Sequence, residues 1–202
     1  TKLLDKYKLK EIIMTQRQKE FRLLTMHGVV RPRAGSEARI RNDLYMVGAF
    51  KLMYSQKLHV DVRLIGYEVP LQSSKPRGKC IDLFGYDAEH NPYIIELKTG
   101  ESLEKLPEVI QQINDYESML IPLLGDIEKE IKNKLFLDEF KLTRKVKKII
   151  LASREYYDKN PWKPFKNGDI LFCYFYGKQN VDNIVEKATG ETIVSLSIHN
   201  KP

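Results

Sequence analysis

Two apolar stretches joined by a short polar turn constrain the fold of this chain more than any other feature. Gly78 to Asp87 runs Gly-Lys-Cys-Ile-Asp-Leu-Phe-Gly-Tyr-Asp, and Pro92 to Lys98 runs Pro-Tyr-Ile-Ile-Glu-Leu-Lys, with Ala88-Glu89-His90-Asn91 between them. β-Branched and aromatic residues bounded by turn formers predict a β-hairpin. With the turn centred near Glu89 and Asp87 facing Asn91, counting back along both arms places Asp82 opposite Glu96. Directly opposed residues point to one face, with Cβ atoms roughly 5 Å apart. Strand periodicity puts Lys98 on the face of Glu96, while Ile95 and Leu97 point the other way. A register slip of one residue would carry Asp82 to the opposite face and separate the group.

Two carboxylates held that close on an apolar hairpin repel each other unless a cation sits between them. Oxygen-only ligation with water completing the shell suits Mg²⁺ or Mn²⁺ rather than zinc. Such an ion polarises a phosphate oxygen and lowers the pKa of an attacking water. An adjacent lysine can orient that water, deprotonate it or offset charge on the phosphorus, and the residues leave those roles for Lys98 open. Glu-x-Lys by itself carries no information here, since Glu130-Ile131-Lys132 and Glu139-Phe140-Lys141 repeat it on a charged helical stretch. Glu96-Leu97-Lys98 differs in ending an apolar strand with an acid across the hairpin.

Around the hairpin the chain reads as one α/β domain over residues 1–202. Residues 2–25 form a charged amphipathic helix within an N-terminal arm (1–30), which breaks at Met26-His27-Gly28 and Arg31-Pro32-Arg33. A second helix starts near Ser36, which has N-cap chemistry, and buries Ile40, Leu44, Val47 and Phe50 along one face. Glu37 shares that inward side, although a glutamate in a first turn also simply favours the helix dipole. Val60 to Val69 reads as a strand ending at Pro70. A helix follows the hairpin from about Pro107 to Leu123, with Val109, Ile113, Tyr116 and Leu120 on one stripe, and a charged helix covers about 126–140. Val146–Ala152 reads as a buried strand. Ile170–Tyr176, Val181–Lys187 and Thr192–Ile198 read as strands of a β-rich extension (153–202). The core (36–152) is expected to be an α/β sandwich, with helices flanking a mixed central sheet.

A net charge of +7 with a pI near 9.2 favours polyanionic partners through counterion release, so nucleic acid is the natural one. No apolar run approaches the roughly 20 residues that span a bilayer, and no signal core precedes a small-residue cleavage site, so no membrane partner is expected. Cys80 and Cys173 lie in apolar stretches and are expected to pack as thiols, which fits a reducing, cytoplasmic compartment. The start at Thr1 rather than Met leaves a fragment of a longer protein, with partner domains elsewhere, among the expectations. His27, His59, His90 and His199 have no metal-ligand spacing. Arg144, Lys145, Lys147 and Lys148 suit phosphate contacts or a solvated strand entry equally. Tyr156, Tyr157, Trp162 and Phe165, among Arg154, Lys163 and Lys166, suit loop anchoring on the core better than base stacking.

Asp82-Leu83-Phe84-Gly85-Tyr86-Asp87 followed by Ile94-Ile95-Glu96-Leu97-Lys98-Thr99-Gly100 resembles the motif pair of the PD-(D/E)xK nuclease superfamily. The element order of residues 36–152 is similar to the αβββαβ core of that restriction-endonuclease-like fold. The proline that names the motif is absent, Ile81 standing before Asp82. The resemblance implies that Asp82, Glu96 and the Leu97 backbone carbonyl bind Mg²⁺ or Mn²⁺ and that Lys98 serves the attacking water. Gln112 and Tyr116, one helical turn apart, resemble the Q-x-x-x-Y pair of the RecB-like branch, which borders the active site and contacts the DNA backbone. That family often carries a metal-linked acid on the helix of Glu37, with Glu68 a rival for the role. A metal-dependent deoxyribonuclease is therefore expected, acting as an endonuclease or exonuclease. The alternatives are an RNA-cleaving nuclease and a non-catalytic nucleic-acid-binding module on the same fold. Pairing into a homodimer would fit cutting of both strands.

Overall fold

A computed structural model describes residues 36–53, 59–71, 79–160, 170–176, 183–186 and 192–195. The expected helix over residues 2–25, the break after it, His27, Trp162, Lys163, Phe165, Lys166 and His199 lie outside the described residues. Helix α1 (Glu37–Val47) is capped by Ser36, whose side chain accepts from the Arg39 amide at 3.3 Å. It ends at Gly48, which takes the left-handed conformation (φ 76°) that glycine adopts without a Cβ penalty. The helical face therefore stops there: Phe50, expected on it, belongs to strand β1 (Ala49–Met53) instead. Strand β2 (His59–Pro70), strands β3 (Cys80–Tyr86) and β4 (Pro92–Lys98) of the hairpin, and helix α2 (Leu106–Leu120) follow.

The helix expected to reach Leu123 ends at Leu120. Ile121–Leu123 forms a 3₁₀ turn around Pro122, whose ring and missing N–H disfavour helix continuation, and α3 (Leu124–Leu135) starts anew. Phe136 closes α3 in a left-handed conformation, short of the expected end near 140. Then come β5 (Lys147–Ser153), a short helix α4 (Arg154–Lys159) that the sequence pattern did not suggest, β6 (Ile170–Tyr176), β7 (Asn183–Glu186) and β8 (Thr192–Ser195).

The strands form one mixed sheet in sequential order from β1 to β8. β1 to β4 run antiparallel to their neighbours, β4 to β6 are parallel, and β7 and β8 return antiparallel. The α2–α3 connection makes the crossover that a parallel β4–β5 pair needs. Both faces are covered. Ile40 and Leu44 of α1 pack on one face with Leu83, Ile95, Leu97 and Leu151. On the other face Val109, Ile113 and Leu120 of α2 and Ile127 and Ile131 of α3 pack with Phe84, Ile94 and Ile150. Burial on both faces explains why β4 runs apolar from Pro92 to Ile95 rather than alternating, before Glu96 and Lys98. No helix among the described residues is long and apolar enough to cross a membrane.

At one level the sheet is irregular. Ile81 and Leu83 flank Asp82, yet they lie in opposite cores, whereas residues two apart in a regular strand share a face. Tyr67 and Val69 on β2 do the same around Glu68, whose φ is 48°. The pairs Tyr67–Leu83 and Val69–Ile81 put Glu68 level with Asp82. The sequence pattern suggested regular arms through this point. Instead the two strands break alternation together, and Arg41 bonds both Asp82 and the exposed Glu68 at that level.

Candidate active site

The hairpin register is the one its turn length predicts. Leu83 pairs with Ile95, Phe84 with Ile94 and Tyr86 with Pro92, and the paired ladder ends one residue short of Asp82 and Glu96. The Asp87 amide donates to the Asn91 carbonyl at 3.3 Å, and Asp87 accepts from the Asn91 amide and side chain at 2.8 and 2.9 Å. Those bonds pin the turn and with it the register. Close strand approach adds a second constraint. A Cβ on Gly85 would lie 2.5 Å from the Arg63 carbonyl oxygen, so only glycine fits where β3 crosses β2.

Asp82, Glu96 and Lys98 are all buried, at 9%, 3% and 4% exposure. Lys98 Nζ donates to Glu96 Oε1 at 2.8 Å and to Glu104 Oε2 at 2.6 Å. Asp82 Oδ2 accepts from the Leu97 amide at 2.9 Å, and its Oδ1 accepts from Arg41 Nη1 at 2.7 Å. Arg41 Nη2 reaches Glu68 Oε1 at 2.6 Å. Glu37 accepts from Ser102 Oγ at 2.8 Å, and its charge is felt at Glu96, Lys98 and Arg41. Five carboxylates (Glu37, Glu68, Asp82, Glu96 and Glu104) thus surround two cations, an excess of three negative charges when all are ionised.

That excess is visible in the titration of Glu96. Burial first, then the charge of Asp82, raises its carboxyl to about 8, against the pull of Lys98. Burial likewise raises Glu37. Burial alone would lower Lys98, but Glu96 and its bond to Glu104 outweigh this and hold the ammonium charged. Glu96 Oε2 is buried and has no hydrogen-bond donor among the described residues. A buried carboxylate oxygen without a donor is costly, and a divalent cation bound there would offset both the desolvation and the repulsion from Asp82. The residues present therefore fit a hard, oxygen-ligated cation.

The sequence-predicted residues converge on this point. On α2 Gln112 Nε2 donates to Tyr116 OH at 2.5 Å, and the Tyr116 phenol is raised by burial and then by the Glu96 charge. Tyr116 is thus at once part of the apolar stripe and turned with its hydroxyl toward the site. Gln112 and Tyr116 also line an open cleft of about 680 Å³, together with Glu104 and Lys79. Glu37 and Glu68 are both at hand, Glu37 through Ser102 and Glu68 through Arg41.

Other candidates lie elsewhere. Lys148 is buried and bound to Glu117 and Asn114 at 2.5 and 3.0 Å, so it braces β5 against α2 rather than facing solvent. Tyr156 and Tyr157 are buried core residues, as expected of loop anchors. His90 bonds the Lys141 carbonyl and packs on Phe140, and no group of three or more His, Cys, Asp or Glu among the described residues is arranged as a ready-made metal cage. No disulfide joins Cys80 to Cys173.

Sequence reasoning missed Arg41, Ser102 and Glu104. Arg41 stands one helical turn after Glu37, which is the only local signal of its place. Ser102 and Glu104 sit in the loop after β4, where no periodicity applies. Tyr156 OH donates to the Glu104 carbonyl at 3.1 Å and Lys159 Nζ to the Gly100 carbonyl at 2.6 Å, so α4 holds this loop against the site. No protein-family model, curated protein or solved structure matches the chain in comparison.

Proposed function

We propose that this protein is a metal-dependent nuclease of the PD-(D/E)xK type, built on the restriction-endonuclease-like core and hydrolysing phosphodiester bonds of DNA within the cell. The observation that carries the proposal is the buried Asp82–Glu96–Lys98 group, with a Glu96 oxygen lacking any donor among the described residues and negative charge in excess. The antiparallel β2–β3–β4 order followed by a crossover to parallel β5 is the arrangement the αβββαβ core requires. Asp82, Glu96 and the Leu97 carbonyl would hold Mg²⁺ or Mn²⁺, with Glu37 the better placed additional acid because Arg41 already occupies Glu68. The bound ion supplies Lewis acidity toward the scissile phosphate and a lowered pKa for the attacking water. Lys98, kept charged by Glu96 and Glu104, orients that water and offsets charge on the phosphorus. Gln112 and Tyr116 present an amide and a phenol to the substrate backbone at the mouth of the cleft. Net charge of +7 assists capture of the polyanion.

Lys98→Ala tests the division of labour. Mn²⁺ and DNA binding should persist while cleavage falls by about 10²-fold or more, measured by calorimetry, anisotropy and a gel assay on the same preparation. Cleavage by Lys98→Ala at the wild-type rate contradicts the assignment.

One observation favours a second reading. Asp82 and Glu96 already have cationic partners in Arg41 and Lys98, as they would in a non-catalytic nucleic-acid-binding module that keeps the fold. Calorimetry separates the two. The nuclease has a Mn²⁺ site that Asp82→Asn removes, and the module shows no such difference.

A further inference from the structure

Arg41 is bound to Asp82, the carboxylate that a metal ion would also use. We infer that Arg41 is the resident counter-cation of Asp82, that a divalent ion displaces it, and that the displaced guanidinium then takes a phosphate oxygen of the substrate. This inference rests on the nuclease reading of the site.

Asp82 has little freedom to serve two cations. Its Oδ2 accepts from the Leu97 amide at 2.9 Å, and its Oδ1 carries the Arg41 charge through Nη1 at 2.7 Å. An ion binding between Asp82 and Glu96 would therefore bring a second positive charge onto a carboxylate that Arg41 already neutralises, and the two cations repel. The other arm of the guanidinium is independent of that carboxylate, because Nη2 is bound to Glu68 at 2.6 Å. Loss of the Asp82 contact thus leaves Arg41 tethered beside the site instead of releasing it to solvent.

Two features show that the tether is specifically built. Glu68 reaches Arg41 from a left-handed backbone (φ 48°), a conformation unfavourable for a non-glycine residue unless its surroundings impose it. It does so where β2 and β3 break alternation together, so the strain and the contact share one location. Arg41 itself rises from α1, which is fixed by the Ser36 cap and by Ile40 and Leu44 in the core. In this posture Arg41 Nε is buried and has no acceptor among the described residues. Guanidinium stays charged and keeps its donors in one plane, so the vacated Nη1 would donate a charge-assisted bond to one phosphate oxygen while Nη2 remains on Glu68.

The test is Mn²⁺ calorimetry on the full chain without nucleic acid, for wild type, Arg41→Gln and Arg41→Lys. Removing the charge should tighten Mn²⁺ binding about tenfold in Arg41→Gln, while Arg41→Lys stays near wild type. Anisotropy with a labelled DNA oligonucleotide in Ca²⁺ should show the opposite order, with Arg41→Gln about tenfold weaker. A purely structural Arg41 predicts Mn²⁺ affinity equal to or below wild type in Arg41→Gln, and that result overturns the displacement while leaving the metal site standing. Absence of Mn²⁺ binding in wild type overturns the nuclease reading itself. Should Arg41→Gln not fold, the Nε–H resonance of Arg41 in the wild-type protein decides. It must shift when Mg²⁺ is added, and an unmoved resonance at saturating Mg²⁺ overturns the inference.

Discussion

Glu96 is almost fully buried and one of its oxygens has no donor among the described residues, so the free energy of charging it depends strongly on what else the site contains. Unfolded, the carboxyl titrates at its ordinary 4.5; folded, burial and Asp82 raise it to about 8. An acid whose folded pKa lies above its unfolded one favours the folded state while protonated. That contribution is full below pH 4.5 and is lost as pH rises to about 8. A divalent cation binds the ionised form and expels the proton. Mn²⁺ affinity should therefore climb about tenfold per pH unit up to about pH 8, measured by calorimetry at several pH values. A flat profile across that window contradicts the raised carboxyl. The hairpin was legible from sequence at this scale because turn length and a period of two fix which residues face each other. Arg41 was not, because its partner Asp82 is 41 positions away and no local pattern links them.

At the scale of elements, what positions the site is the close passage of β3 over β2. Gly85→Ala forces a Cβ within 2.5 Å of the Arg63 carbonyl oxygen, which is backbone and cannot step aside alone. The variant should lose about 1–3 kcal/mol of unfolding free energy in urea titration. An unchanged midpoint would mean that the strands separate easily, and that the register around Asp82 is less firmly held than the turn bonds suggest. Elements whose signals are local were readable: α1 from Ser36, β4 from its apolar run between Pro92 and Lys98. Those set by a single residue acting against a longer pattern were not. Gly48 ends α1 and converts Phe50 from a helical to a strand position, and Pro122 turns the last three residues expected in α2 into a 3₁₀ turn. The paired irregularity at Glu68 and Asp82 was equally hidden, since it arises from two strands adjusting to each other and neither carries it alone.

Across the whole molecule, one mixed sheet with helices on both faces brings acids from α1, β2, β3, β4 and the following loop to a single level. The hairpin supplies the rigid centre, α1 approaches from one face with Glu37 and Arg41, and α2 from the other with Gln112 and Tyr116. Strands β6 to β8 extend the same sheet. The account makes this convergence a nuclease centre. Its most direct test is cleavage of supercoiled plasmid, single-stranded DNA and RNA in Mg²⁺, Mn²⁺ or EDTA, with Asp82→Ala alongside. It predicts DNA cleavage that requires the metal and disappears in Asp82→Ala. RNA as the only substrate cut would keep the chemistry and replace the substrate. No cleavage of any substrate, or cleavage that survives both EDTA and Asp82→Ala, would contradict the central claim.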